Sequence, residues 1–331
     1  MISTFNRPAV FFVNGLGDQL IALPTMRALA HLFPGTIQLM LGEGNYCFLF
    51  NTVRRQNQDP IRLWWTDPSA GKIDVGRIME RAAPCDLFIS LSTWNSPSIM
   101  ELAQKMGAKR SVGFFDCFDD AVLLEDYGHM FDYLFAIAQK LEPSLCFDDF
   151  SASPDYSSAA AAAGAEFVTR HMRLGERLLF VHPETSDARR MWTTQDFSWV
   201  LTHFLDERPE FRIFISSLER QKLDIGPYQD RLIEFDLHLE LALASMRYAD
   251  LFLGIDSCFL HAADLFRVPG VGLFGPTRPE EWGFRISRHS RHVYGEGSMN
   301  RVRRVAVLDA LLAVVSEVAF EPPKAARLMN A

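Results

Sequence analysis

The sequence predicts an α/β protein built from two parallel-sheet halves. Three observations carry this. Short apolar runs alternate with stretches of helical spacing along nearly the whole chain. The alternation is most regular in the second half, as right-handed crossovers between parallel strands require. A marked composition shift at residues 151–164, rich in Ser, Ala and Pro, separates the halves. A length of 331 residues accommodates two domains of ordinary size.

The first half opens with a strand at Ala9–Val13, a glycine-containing turn and a helical stretch to about Phe33. Pro24 lies inside that stretch and is expected to end or kink its first turns. Strands are expected at Thr36–Leu41, Asp86–Leu91 and Ser111–Phe115, with helices at Ser98–Met106 and Tyr127–Leu141. The 151–164 stretch reads as a linker entering a helix near Glu166–Met172. The second half reads as strand Leu178–His182, helix Thr194–Glu207, strand Arg212–Ser216 and a helix near Glu240–Tyr248. Strand Asp250–Ile255, helix Ser257–Phe266 and strand Gly270–Phe274 follow, and helix Val305–Val318 closes the chain. The expected domains are 1–155, 156–304 and a C-terminal helix and tail at 305–331, with the tail able to cross back to the first domain.

Composition excludes several classes of function. Apolar residues at 48% and charged residues at 22% suit a globular protein and not a disordered one. No apolar run approaches the roughly 20 residues that span a bilayer, and the N-terminus lacks a signal-peptide layout, so a cytoplasmic protein without a transmembrane segment is expected. Five widely spaced cysteines read as reduced thiols. Residues 1–165 hold 12 Lys and Arg against 18 Asp and Glu, a balance of −6, within an overall −8. No basic face for nucleic acid is evident, and the acidic half would repel anionic membranes and phosphorylated acceptors.

Four segments carry chemistry. Gly15-Leu16-Gly17-Asp18 follows a strand and opens a helix, but the third glycine of a dinucleotide fingerprint is missing. Asp18 is either a helix cap or a carboxylate facing a ligand at a strand's carboxyl end. In Asp256-Ser257-Cys258-Phe259-Leu260-His261 a buried strand gives way to a helix, and Ser257 can cap it. The free N–H groups there suit a diphosphate; His261 is either a packing histidine or a ligand contact. The loop from His182 to Trp192 carries Arg189 and Arg190, which could neutralise phosphate or lie solvated. Gly272–Pro279 is a strand ending in a Gly-Pro turn. No Asp-x-Asp pair is present to hold Mg²⁺ against a diphosphate.

Together these pieces resemble glycosyltransferase family 9, the heptosyltransferase family. The resemblance extends over Gly15-x-Gly17-Asp18 with Leu20 and Pro24, Asp86–Leu91, Gly107–Phe114, His182-Pro183, Arg190-x-Trp192, Asp256-Ser257-x-x-x-His261 and Phe274–Thr277. It implies the GT-B fold, two Rossmann-like domains facing a central cleft, with the nucleotide sugar on the C-terminal domain. It also implies inverting, metal-independent transfer of a heptose or related sugar from a nucleotide diphosphate sugar, usually ADP-heptose, with no further cofactor.

Carried over by residue, Asp18 is the general base, with Gly15 and Gly17 in its loop. Arg190 stands where the family usually has Lys on the phosphate, and Glu219 lies near the nucleoside. His182, Asp256, Ser257, Cys258 and His261 complete the donor site, with Cys258 in place of the family's usual glycine. The acidic N-terminal half departs from what a phosphorylated lipopolysaccharide core acceptor requires, so a neutral or cationic acceptor is expected, a natural product, glycan or protein. Alternative readings are a lipopolysaccharide core heptosyltransferase, a nucleotide-sugar epimerase, and a non-catalytic nucleotide- or glycan-binding protein of the same fold.

Overall fold

A computed structural model describes residues 5–42, 46–53, 58–123, 128–217, 223–318 and 322–329. The chain divides into two compact units, Met1–Asp155 and Tyr156–Ala331.

The first unit contains β1 (Pro8–Phe12), α1 (Leu16–Leu32), β2 (Gln38–Leu41), β3 (Ile61–Arg62), the antiparallel hairpin β4 (Trp65–Asp67) and β5 (Lys72–Ile73), and α2 (Val75–Met79). It continues with β6 (Leu87–Ser90), α3 (Pro97–Lys105), β7 (Arg110–Gly113), β8 (Asp120–Ala121) and α4 (Met130–Leu141). Its main sheet is parallel, in the order β3-β2-β1-β6-β7-β8. β1 is apolar throughout because both of its faces are covered. Pro8 stands at its first position, where a missing ladder donor is tolerated.

Pro24 does not end α1, which runs unbroken from Leu16 to Leu32. The proline leaves the Leu20 carbonyl without its partner four residues on. Burial of Leu20, Ile21, Leu23, Met26 and Leu29, and packing of the helix on α4, outweigh that loss.

The second unit contains α5 (Ser158–His171), β9 (Arg177–His182), α6 (Thr194–Glu207), β10 (Phe211–Ser216), β11 (Leu232–Phe235), α7 (Leu239–Met246), β12 (Leu251–Ile255), α8 (Cys258–Leu265), β13 (Gly270–Phe274), α9 (Pro279–Trp282), β14 (Arg291–Tyr294), α10 (Arg304–Glu317) and α11 (Ala326–Met329). Its sheet is also parallel and repeats the first order, β11-β10-β9-β12-β13-β14. α10 packs on α6, β13 and β14, and α11 on α5, so both C-terminal helices belong to this unit.

The supposed linker is shorter than its composition suggests. Ser157 caps α5 by accepting from the Ala160 N–H, and the Ala-rich run is helix. That run packs closely on α7: a Cβ on Gly164 would lie 2.9 Å from the Ala244 carbonyl carbon. Small side chains there serve helix contact, not linker flexibility.

Candidate active site

In an open parallel sheet, ligands bind outside the carboxyl ends of the strands where the strand order reverses. In the first unit that point lies between β1 and β6. Gly15 is the N-cap of α1, with Leu16 and Gly17 in the first turn, and its N–H donates to Asp18 Oδ2 at 3.1 Å. Asp18 therefore makes the capping contact, and its carboxylate lies in the favourable field of the helix N-terminus. The same geometry fixes it at the switch point. The loop after β1 is tied to the loop after β6 by Asn14 Nδ2 donating to Thr93 Oγ1 at 2.9 Å. The loop after β2 is tied in turn to α1, where the Tyr46 N–H donates to Gln19 Oε1 at 2.9 Å.

In the second unit the switch point lies between β9 and β12. His182 ends β9 and is buried, with Nδ1 2.8 Å from the Ser216 carbonyl oxygen and its ring 4.4 Å from Phe259. Burial holds its pKa down at about 4, so the imidazole is neutral and Nδ1 carries the proton. It braces the ends of β9 and β10. Just beyond, Ser217 Oγ donates to Glu184 Oε1 at 3.0 Å.

The two arginines of the following loop differ in role. Asp187 caps the short 3-10 turn Ala188–Arg190 and takes the exposed Arg189 guanidinium in a bidentate pair at 3.0 and 2.8 Å. Arg190 turns inward, donating from Nη1 to both the carbonyl oxygen and Oδ2 of Asp256 at 3.2 Å. Asp187 also lies 3.8 Å from Arg190 Nε. The two arginines, read in sequence as phosphate partners or solvated groups, are therefore one solvent-facing ion pair and one partly buried link across the switch point.

Asp256 is 2% exposed, and His261 Nε2 stands 3.9 Å from its Oδ1. His261 is equally buried, one turn into α8, 6.4 Å from the Trp282 ring. Ser257 occupies the N-cap position of α8, but contrary to expectation its hydroxyl caps nothing. Its Oγ is buried and has no hydrogen-bond partner among the described residues. Thr277 Oγ1, after β13, is in the same condition. Cys258 is the first residue of α8, and desolvation pushes its thiol up to about 12, so it is inert near neutral pH. Glu219 lies outside the described residues.

Asp187 and the Asn14–Thr93 link did not stand out in the sequence. The spacing Asp187-x-Arg189-Arg190 was a usable signal for the first, as a capping carboxylate two residues before a cation. The second pairs residues 79 apart, which no local pattern reveals.

Unpaired hydroxyls, a helix N-terminus and an arginine at one strand end suit a diphosphate, and the Asp256 carboxylate can accept from sugar hydroxyls. Among the described residues no group of three His, Cys, Asp or Glu side chains could hold a metal ion, and no helix is long and apolar enough to cross a membrane.

Two parallel sheets of one strand order, each with a switch-point loop cluster, define a protein of the GT-B class of two Rossmann-like domains. The model of glycosyltransferase family 9 (heptosyltransferase) matches residues 129–310, and the chain belongs to that family. It is accordingly a glycosyltransferase.

Similar solved structures include a glycosyl transferase of family 9 from Veillonella parvula DSM 2008 (TM-score 0.70, 16% identity, covering 95% of this chain and 98% of that chain). The E. coli ADP-heptose lps heptosyltransferase II follows (TM-score 0.67, 14% identity, 94% and 99%). E. coli heptosyltransferase WaaC with ADP is comparable (TM-score 0.67, 14% identity, 93% and 99%). At these identities the likeness is one of fold. No curated protein matches the sequence. The family match begins in the first unit at His129, beyond the Asp18 loop.

Proposed function

We propose that this glycosyltransferase moves a heptose or related sugar from a nucleotide diphosphate sugar, ADP-heptose, to an acceptor hydroxyl, with inversion and without a metal. The observation that carries the reading is the convergence of Arg190, Asp256 and the unengaged Ser257 hydroxyl at the N-terminus of α8. Those groups would bind the diphosphate, and Arg190, now held by Asp256, would gain a phosphate oxygen as a further partner. His182 supports the loop from below.

Asp18 serves as general base. As the acceptor oxygen forms its bond to the anomeric carbon, the bond from that carbon to the diphosphate breaks on the opposite face, and Asp18 takes the hydroxyl proton. A carboxylate is a weak base toward a hydroxyl proton, so proton transfer accompanies attack and does not precede it. The departing nucleoside diphosphate leaves its charge to Arg190 and the α8 N–H groups. The acidic balance of residues 1–165 favours a neutral or cationic acceptor. Cytoplasmic nucleotide sugars would supply the donor.

A thermal-shift panel of ADP, UDP, GDP and CDP tests the donor assignment. Ligand at a hundredfold excess over Kd contributes about 2.7 kcal/mol, so ADP alone should raise Tm by several degrees. A shift with UDP or GDP and none with ADP would refute the assignment.

A further inference from the structure

An acceptor hydroxyl presented to Asp18 must lie at the carboxyl edge of the first sheet, and that edge continues past β1 to β6 and β7. Gly15 and Asn14 connect the Asp18 carboxylate to Thr93 through two hydrogen bonds, a path of no more than about 13 Å along bonds. Next along the chain is Trp94. Its ring meets Trp65 of the β4–β5 hairpin at 5.5 Å and Phe11 at 6.5 Å. Gly71, at φ +61°, lies flat against it: a Cβ there would sit 3.1 Å from the indole. Asn95, one residue further, donates to Cys117 Sγ at 3.4 Å, joining the loop after β6 to the loop after β7. Beside Cys117 is the exposed Asp116.

The described residues of these loops carry Asp67, Asp74, Asp116 and Asp119 against Lys72. Asp67 binds Ser69, Asp74 caps α2 and Asp119 holds Ser111. Asp116 alone among them makes no hydrogen bond or ion pair with a described residue. A second polar group is also unused: Ser92 Oγ, fully buried two residues before Trp94, has no partner among the described residues.

We infer that these loops form an acceptor subsite selecting an amino sugar, with its reacting hydroxyl at Asp18, a sugar face on the Trp65–Trp94 wall and an ammonium at Asp116. Adjacent parallel strands lie about 4.8 Å apart, so the ends of β1 and β7 are separated by about 10 Å, close to the length of a disaccharide. Partly exposed indoles offer a flat apolar face and attract a cation electrostatically. The inference rests on the transferase reading only for the role of Asp18.

Calorimetric titration of the intact chain with chitosan disaccharide, which carries two ammonium groups, and with the neutral N,N′-diacetylchitobiose provides the test. The charged sugar should bind about fivefold tighter at low salt, the size of an exposed ion pair. Asp116→Asn should abolish that preference without altering Tm, because the side chain is exposed. Trp65→Leu should weaken both sugars alike and leave the preference intact. Equal binding by the unaltered chain, or a preference that survives Asp116→Asn, would overturn the subsite. A failed donor reading gives a different result, absence of ADP binding while the sugar preference persists.

Discussion

Asp18 shows how one carboxylate can satisfy a structural and a chemical reading at once. Its contact with the Gly15 N–H is what a helix cap makes, and its position at a switch point is what a base needs. Local sequence could not separate the two, since both use the same residue at the same offset from the strand. Arg190 was legible as a cation near a phosphate site, but its partner, 66 residues away, was not. Removing it by Arg190→Ala takes the guanidinium from the buried Asp256 carboxylate, which should cost about 2–3 kcal/mol of stability by denaturant titration. ADP affinity should fall about tenfold, and Arg190→Lys should restore part of both.

His182 makes a prediction of pH dependence. Its folded pKa, about 4, lies below the ordinary 6.5, so between those values the unfolded chain binds more protons. The contribution is therefore complete above pH 6.5 and is lost as pH falls toward 4, by about 3 kcal/mol in all. Comparing urea midpoints of the protein and His182→Gln across pH 4–7 checks this. The variant should show a flatter profile, and parallel profiles would contradict it.

At the scale of elements, long periodic segments were legible and short ones were not. α6 was expected at Thr194–Glu207 and is found there, because its apolar spacing and the Thr193 cap agree. β3 and β8, of two residues each, carry no period to read, and β11 and β14 lack a continuous apolar run. Two expectations shift for different reasons: packing keeps Pro24 inside α1 and does not let it end the helix, whereas the alanine run is helix by its own propensity and packs on α7, burying Ala160 and Gly164. Gly164→Val should cost about 2–3 kcal/mol through overpacking on α7, measured by thermal unfolding. Asp264, fully buried in α8, accepts from the N–H groups of Arg285, Ile286 and Ser287. Asp264→Ala orphans all three and should cost about 3 kcal/mol or more, whereas Asp264→Asn should cost less.

For the whole molecule, the two sheets repeat one strand order. The proposed division of labour rests on charge and donors: carboxylates dominate the edge of the first sheet, and an arginine with unpaired hydroxyls marks that of the second. Hydrogen exchange should therefore show ADP protecting residues 182–192 and 255–262, with the first unit little changed. Protection concentrated in the 14–18 loop would contradict that assignment.

The most direct measurement is Asp18→Asn, assayed for transfer from ADP-heptose and, by calorimetry, for ADP binding. General-base catalysis predicts a fall in kcat of about 10²–10⁴, with ADP affinity unchanged within about twofold. Transfer that survives the substitution, or ADP binding lost in step with it, would contradict the role of Asp18 as the base on the acceptor side.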